Sequence, residues 1–242
     1  MIIKTKGICL HTTKYGESSV IAQVFTEEKG LQSYIISGVR SRKPKVHASL
    51  LQPLSMLDLV AYFRPDKTLF RTKEIKSAYT FRRIPFEIQR SSVCLFAAEV
   101  LLKVLRESEA QPDLFPFIHD FALHLDRTDD SVANLPCYFL LWMTDFLGFQ
   151  PEPPSFGAPY YFDLSQGYFL PEIPEHDEYS GDEVSAFLVA LLGASFDTVS
   201  EIKVTREIRS AALNTLLAYL RGQMDRFRGI MSHKILSEVL GD

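Results

Sequence analysis

Arg40, Arg42, Lys43 and Lys45 crowd into the stretch Gly38 to Lys45, which holds no Asp or Glu. Cations without local acidic partners suit a polyanion: on a loop they can follow a phosphate backbone, and each phosphate they neutralise releases counterions. That is the chemistry of binding rather than of bond cleavage. An ordinary solvated loop would share the composition. Lys4, Lys6, Lys14, Arg71 and Lys73 lie in the same half of the chain, but the face each occupies depends on strand register, which the sequence leaves open. Tyr15, Tyr34 and Tyr62 are candidate base-stacking platforms, because an aromatic face accepts any base. A small β domain also needs aromatic core, the expected role of Phe25 and Phe63.

A second group of cations lies near the end of the chain. Seven of the ten Lys/Arg after residue 90 fall between Lys203 and Lys234. Arg206, Arg209 and Arg221 border the apolar run Leu213 to Leu220, which would suit an acidic peptide tail ending in a hydrophobic residue. Helix faces laced with salt bridges show the same pattern.

Catalytic signatures are missing from the sequence. It contains no G-x-x-x-x-G-K-S/T phosphate loop, no G-x-G-x-x-G and no G-x-S-x-G. His119 and His124, five residues apart on one expected helix, point about 140° from each other and cannot chelate an ion as an i, i+4 pair would. Asp129-Asp130 and Glu27-Glu28 are adjacent carboxylates in expected loops, with no second ligand set in view. No metal, cofactor or catalytic residue is expected, and the chain reads as a binding protein.

The elements that must position these residues change character along the chain. Ile2 to His11, Ser19 to Thr26 and Leu31 to Ser37 read as strands, separated by Tyr15-Gly16-Glu17-Ser18 and Glu27-Glu28-Lys29-Gly30. Met56 to Phe63 alternates, with Leu57, Leu59, Ala61 and Phe63 on one face. Arg64-Pro65-Asp66-Lys67 then turns, and Thr68 to Ile75 returns carrying Arg71 and Lys73. Five short antiparallel strands with one long loop suit a Greek-key barrel of the OB type, a pattern shared by SH3-like barrels. From Pro85 the period becomes helical. Helices are expected over 87–106, 113–125, 135–147 and 205–224, and after Ser232. A further one opens at Ser180 with a capping box to Glu183 and stops near Gly193. Asn134 is the expected cap of the 135–147 helix and Gly148 its stop. Residues 150–179 form a Pro-rich insert in which Tyr160–Phe162 and Tyr168–Leu170 suggest a small β-hairpin. The expected class is therefore α+β: an OB-type barrel over residues 1–80 and an α-helical domain over 81–242.

Charge divides the chain the same way. Residues 1–90 hold sixteen Lys/Arg against seven Asp/Glu, and residues 91–242 hold ten against twenty-three, so the net −4 conceals a basic front and an acidic back. Two parts with different partners are implied. Cys9, Cys94 and Cys137 are odd in number and form no CxxC, which fits a reducing, cytosolic setting. The start MIIKTKGICLH does not read as a signal peptide, and the longest apolar stretch, 93–105, is too short to span a bilayer.

Lys6-Gly7-Ile8, Tyr15-Gly16-Glu17-Ser18-Ser19, Phe25-Thr26, Lys29-Gly30-Leu31, Gly38-Val39-Arg40-Ser41 and Leu51-Gln52-Pro53, in that order over residues 1–63, resemble the amino-terminal signature of the RecO family of bacterial recombination mediators. The resemblance implies an OB-fold domain that binds single- and double-stranded DNA, joined to a helical domain. It also implies strand annealing, binding of RecR and of the carboxy-terminal tail of single-stranded DNA-binding protein, and, with RecR, loading of RecA onto coated strands in the bacterial cytoplasm at the nucleoid. Arg40, Arg42, Lys43, Lys45, Lys6, Lys14, Arg71, Lys73 and Tyr15 are the expected DNA contacts; Arg206, Arg209 and Arg221 are the expected partner contacts. Many members carry a four-cysteine zinc module in the helical domain, whereas residues 150–179 here contain no cysteine, so a metal-free hairpin is expected instead. An RNA-binding or translational adaptor built on the same barrel is the competing reading. A structural protein whose basic half docks an acidic protein is a third.

Overall fold

The basic front closes on itself. In a computed structural model, which describes residues 1–106, 109–225, 227 and 229–240, β1 (Ile2–Tyr15), β2 (Ser19–Thr26), β3 (Gly30–Ile36), β4 (Met56–Tyr62) and β5 (Leu69–Ser77) form a barrel in the order β1-β2-β3-β5-β4. β3 and β5 pair in parallel, and the other four pairings are antiparallel. This is the OB-type barrel expected above, with one correction: the strands are not antiparallel throughout, because β5 returns to β3 after the long excursion and β4 and so runs in the same direction. β1 serves two partners: residues 2–8 pair with β4 and residues 7–15 with β2, with an irregularity between Cys9 and His11. Gly7 stands in both ladders, opposite Thr26 and Leu57. A Cβ there would lie 2.5 Å from Val24 Cγ1 and 3.0 Å from Leu59 Cδ1, so a side chain at this position would collide with the packed barrel interior.

Inward-facing Cys9, Ala22, Val24, Tyr34, Leu57, Leu59, Ala61 and Phe70 fill the barrel. Tyr34 packs against Phe70 with ring centroids 5.9 Å apart, and Phe63 stacks on Phe70 at 4.8 Å. Phe25 is fully buried on the other side of the sheet, against Phe115 of a helix described next.

α1 (Ile88–Val104) is apolar on nearly every side, as the sequence suggested, and buries Val93, Phe96, Ala97, Val100 and Leu101. α2 (Leu114–Arg127) packs with the barrel, and the chain divides into two compact units: residues 1–87 with 98–127, and residues 88–97 with 128–242. Asp126, buried at the end of α2, fastens the segment that leaves the barrel. Its carboxylate accepts backbone N–H bonds from Arg82, Arg83 and Ile84 at 2.9–3.1 Å, and the Tyr79 hydroxyl donates to it at 3.0 Å.

The second unit contains α3 (Leu135–Phe146), α4 (Asp182–Leu192), α5 (Arg206–Gln223) and α6 (Ser232–Val239). The insert forms the expected hairpin, β6 (Tyr161–Asp163) with β7 (Tyr168–Leu170), but also a third strand, β8 (Tyr179–Ser180), on the far edge of β6. That strand changes the start of α4. Ser180 is not its cap: the N-cap is Gly181, with no side-chain hydrogen bond. The Ser180 hydroxyl is instead 2.7 Å from that of Ser185, which accepts from the Phe162 N–H. Gly148, at φ +85°, follows the C-cap of α3, and the Thr205 hydroxyl caps α5 by accepting from the Ile208 N–H.

Burial alone would raise the Asp126 carboxyl, but the three amides and the Tyr79 hydroxyl outweigh it and hold the group below the usual carboxylate range. A depressed pKa contributes stability that is complete above the unfolded value and fades as pH falls through the folded one. Asp126→Asn is expected to lower stability at neutral pH by about 3 kcal/mol and to flatten the acid limb of the stability–pH curve, measured by urea unfolding between neutral and acidic pH.

Candidate nucleic-acid interface

The cationic stretch begins where β3 ends. Gly38 takes φ +78° and turns the chain. Val39 then buries itself in the barrel core. The Arg40 N–H donates to Ser18 O at 2.9 Å and its Nη1 to Gly16 O at 3.3 Å, which fastens the stretch to the tip of the β1–β2 hairpin. Lys14 and Tyr15 stand exposed at that same tip. Arg42, Lys43 and Lys45 are exposed and make no ion pair among the described residues. Beyond them Val46, Leu50 and Leu51 return to the core. The cations are thus displayed on a lip anchored by apolar residues at both ends.

The remaining barrel candidates fall in two places. Arg71 pairs with Ile35 of β3 and Tyr62 of β4, and Lys73 follows at the irregularity opposite Val60 and Ala61; both are exposed and lie beside the exit of β3. Lys6 is opposite Asp58 and shares a hollow with Lys4, Glu27, Glu28 and Glu74. That face carries both signs and offers a phosphate little net attraction. Tyr34, at 0% exposure, is core and presents no face for stacking. Two parts of the lip escaped sequence reasoning: Val39, an apolar residue within the cationic run, and the hairpin carbonyls of Gly16 and Ser18, which carry no side-chain signal.

In the second unit, Pro136 and Cys137 of α3, Leu213 of α5 and Leu236 of α6 line a shallow apolar groove with Arg206 and Arg209 at its edge. Arg206 is exposed. Arg209 is half-buried: its Nε donates to Asn134 Oδ1 at 3.0 Å and its Nη2 to Val204 O at 3.4 Å. Asn134 does not cap α3 with its side chain; its Nδ2 donates to Val199 O and Ile202 O, both at 2.9 Å. Arg221 is not brought to the groove, since fifteen residues along α5 separate it from Arg206 by roughly 22 Å. Arg226 and Arg228 lie outside the described residues.

Burial pushes the Cys9 and Cys137 thiols up to about 12, so neither is a thiolate at neutral pH. No group of three or more His, Cys, Asp or Glu is placed to hold a metal ion among the described residues, and no described helix is long and apolar enough to cross a membrane.

A closed OB-type barrel with a cationic lip, followed by helices that carry a small inserted sheet, defines a class of protein built around a basic β domain. Residues 1–81 match the family described as Recombination protein O N terminal, and residues 85–229 match Recombination protein O C terminal. The chain is 33% identical over 239 residues to the DNA repair protein RecO of Phocaeicola vulgatus, with 99% of each chain covered. It is 33% identical over 242 residues to that of Christiangramia forsetii, with 100% of each covered. The RecO of Bacteroides fragilis is 32% identical over 240 residues, again covering 99% of each. The chain belongs to the RecO family of DNA repair and recombination proteins.

Asn134→Ala would leave two carbonyls and the Arg209 guanidinium without their partner. A loss of about 3 kcal/mol is expected, read from urea midpoints.

Proposed function

We propose that this RecO-family chain is a non-enzymatic recombination mediator that holds DNA on the barrel and recruits proteins through its helical part. The barrel domain, to about residue 80, would carry single- and double-stranded DNA. Arg40, Arg42, Lys43 and Lys45 would contact phosphates, Lys14 and Tyr15 would flank them at the hairpin tip, and Arg71 and Lys73 would extend the contact. Lys6 would contribute least, because of the acids around it. Holding two complementary strands on such a surface screens their repulsion, which is what annealing requires.

The helical domain, from about residue 81, would bind the acidic tail of single-stranded DNA-binding protein in the groove edged by Arg206 and Arg209, with Arg221 outside that contact. Docked there, and joined to RecR, the chain would help RecA onto coated strands in the bacterial cytoplasm. Binding energy does this work throughout. The observation that carries the reading is the lip itself: exposed cations, none ion-paired among the described residues, anchored to the barrel by Val39 and by the Arg40 bonds to the hairpin.

Binding of a fluorescent single-stranded oligonucleotide is expected to weaken linearly in log affinity against log salt. Arg40→Glu/Arg42→Glu/Lys43→Glu is expected to flatten that slope by about 2, at roughly 0.7 per lost phosphate contact. An unchanged slope would place the phosphate contacts elsewhere.

A further inference from the structure

The fold sorts the three tyrosines that could stack on bases. Tyr34 is inside the barrel, whereas Tyr15 and Tyr62 are each 46% exposed. Tyr15 ends β1 at the hairpin tip, opposite Ser19. Tyr62 ends β4 within the sheet, between Ile2 of β1 on one flank and Arg71 of β5 on the other. Alternation turns it outward, since Ala61 before it is buried.

Directly opposed residues hold their Cβ atoms about 5 Å apart, so an exposed phenol ring and an exposed guanidinium stand side by side on the outer surface. Arg71 makes no ion pair among the described residues, and its charge remains available. Ile2, half exposed beyond Tyr62, widens the apolar floor. Arg64 and Lys67 of the β4–β5 turn follow Tyr62 in the chain, and both are exposed.

A ring beside a cation meets what a single strand offers: an unpaired base to stack and a phosphate to neutralise. A duplex keeps its bases stacked on one another and can use only the cation. We infer that Tyr62 and Arg71 form a base-stacking subsite for single-stranded nucleic acid on the β4–β5 surface. This rests on the DNA-binding reading above and adds to the lip and Tyr15 a ring-and-cation pair on the sheet itself that tells single strands from duplex.

The test is an anisotropy titration of the full chain with a single-stranded oligonucleotide and with its duplex, for wild type, Tyr62→Ala and Tyr62→Phe. Tyr62→Ala is expected to weaken single-strand binding about tenfold and duplex binding by less than about twofold. Its salt slope stays at the wild-type value because no phosphate contact is lost, and Tyr62→Phe restores single-strand affinity because it keeps the ring. The retained duplex affinity of Tyr62→Ala also reports an intact barrel. Equal losses for both ligands, no loss at all, or Phe behaving as Ala would overturn the subsite while leaving the DNA-binding reading standing. A wild-type chain that bound neither ligand would remove both.

Discussion

Everything on the barrel depends on β1 pairing with two strands at once. A strand can serve β4 with one half and β2 with the other only if it bends where the ladders overlap, and at that overlap Gly7 leaves room for the Val24 and Leu59 side chains. Past the overlap the ladder with β4 is lost, and the chain on the far side of the long loop replaces it. The Cys9 N–H donates to Ser55 O at 2.9 Å, and Cys9 O accepts from the Leu54 N–H at 2.7 Å. Leu54, fully buried, takes φ +59° to make that bond. The excursion from Gly38 to Ser55 is therefore clamped at its end by β1 and at its beginning by the hairpin. Its cations stay in water while its backbone is tied to the sheet, so little order has to be gained when an anion arrives.

Charge placement supports the proposed division of labour. Residues 128–202 contain thirteen Asp/Glu and no Lys or Arg. A stretch of that composition repels a phosphate backbone and favours contact through the barrel. Cations return only with Lys203 and α5, where Arg206 borders an apolar groove and Arg209 is bonded into the junction of α3 and α5. Two arginines three residues apart on one helix thus differ in role: one is a surface charge, the other a strut.

Much of the fold was legible because strand and helix periods are local properties. The pattern marks the observed ends of β2, and those of β4, α3 and α5 to within a residue or two. Serine and asparagine side chains were harder, because their partners are remote in sequence. Ser180 and Glu183 have capping-box spacing, yet the short strand β8 placed Ser180 against Ser185. Asn134 has the chemistry of a cap, yet carbonyls more than sixty residues away claim its amide. Of the site, the cationic lip was visible as composition. What alternation cannot give is which strand lies beside which, and hence that Lys6 faces Asp58 while Arg71 faces Tyr62.

The most direct test of where DNA lies is photo-crosslinking of a halogenated single-stranded oligonucleotide to the full chain, with the attachment sites mapped by mass spectrometry. Crosslinks concentrated on the hairpin tip at Lys14–Tyr15, on the lip from Arg40 to Lys45 and at Tyr62 are the predicted result. Crosslinks confined to residues 128–223, with the barrel unmarked, would contradict the account.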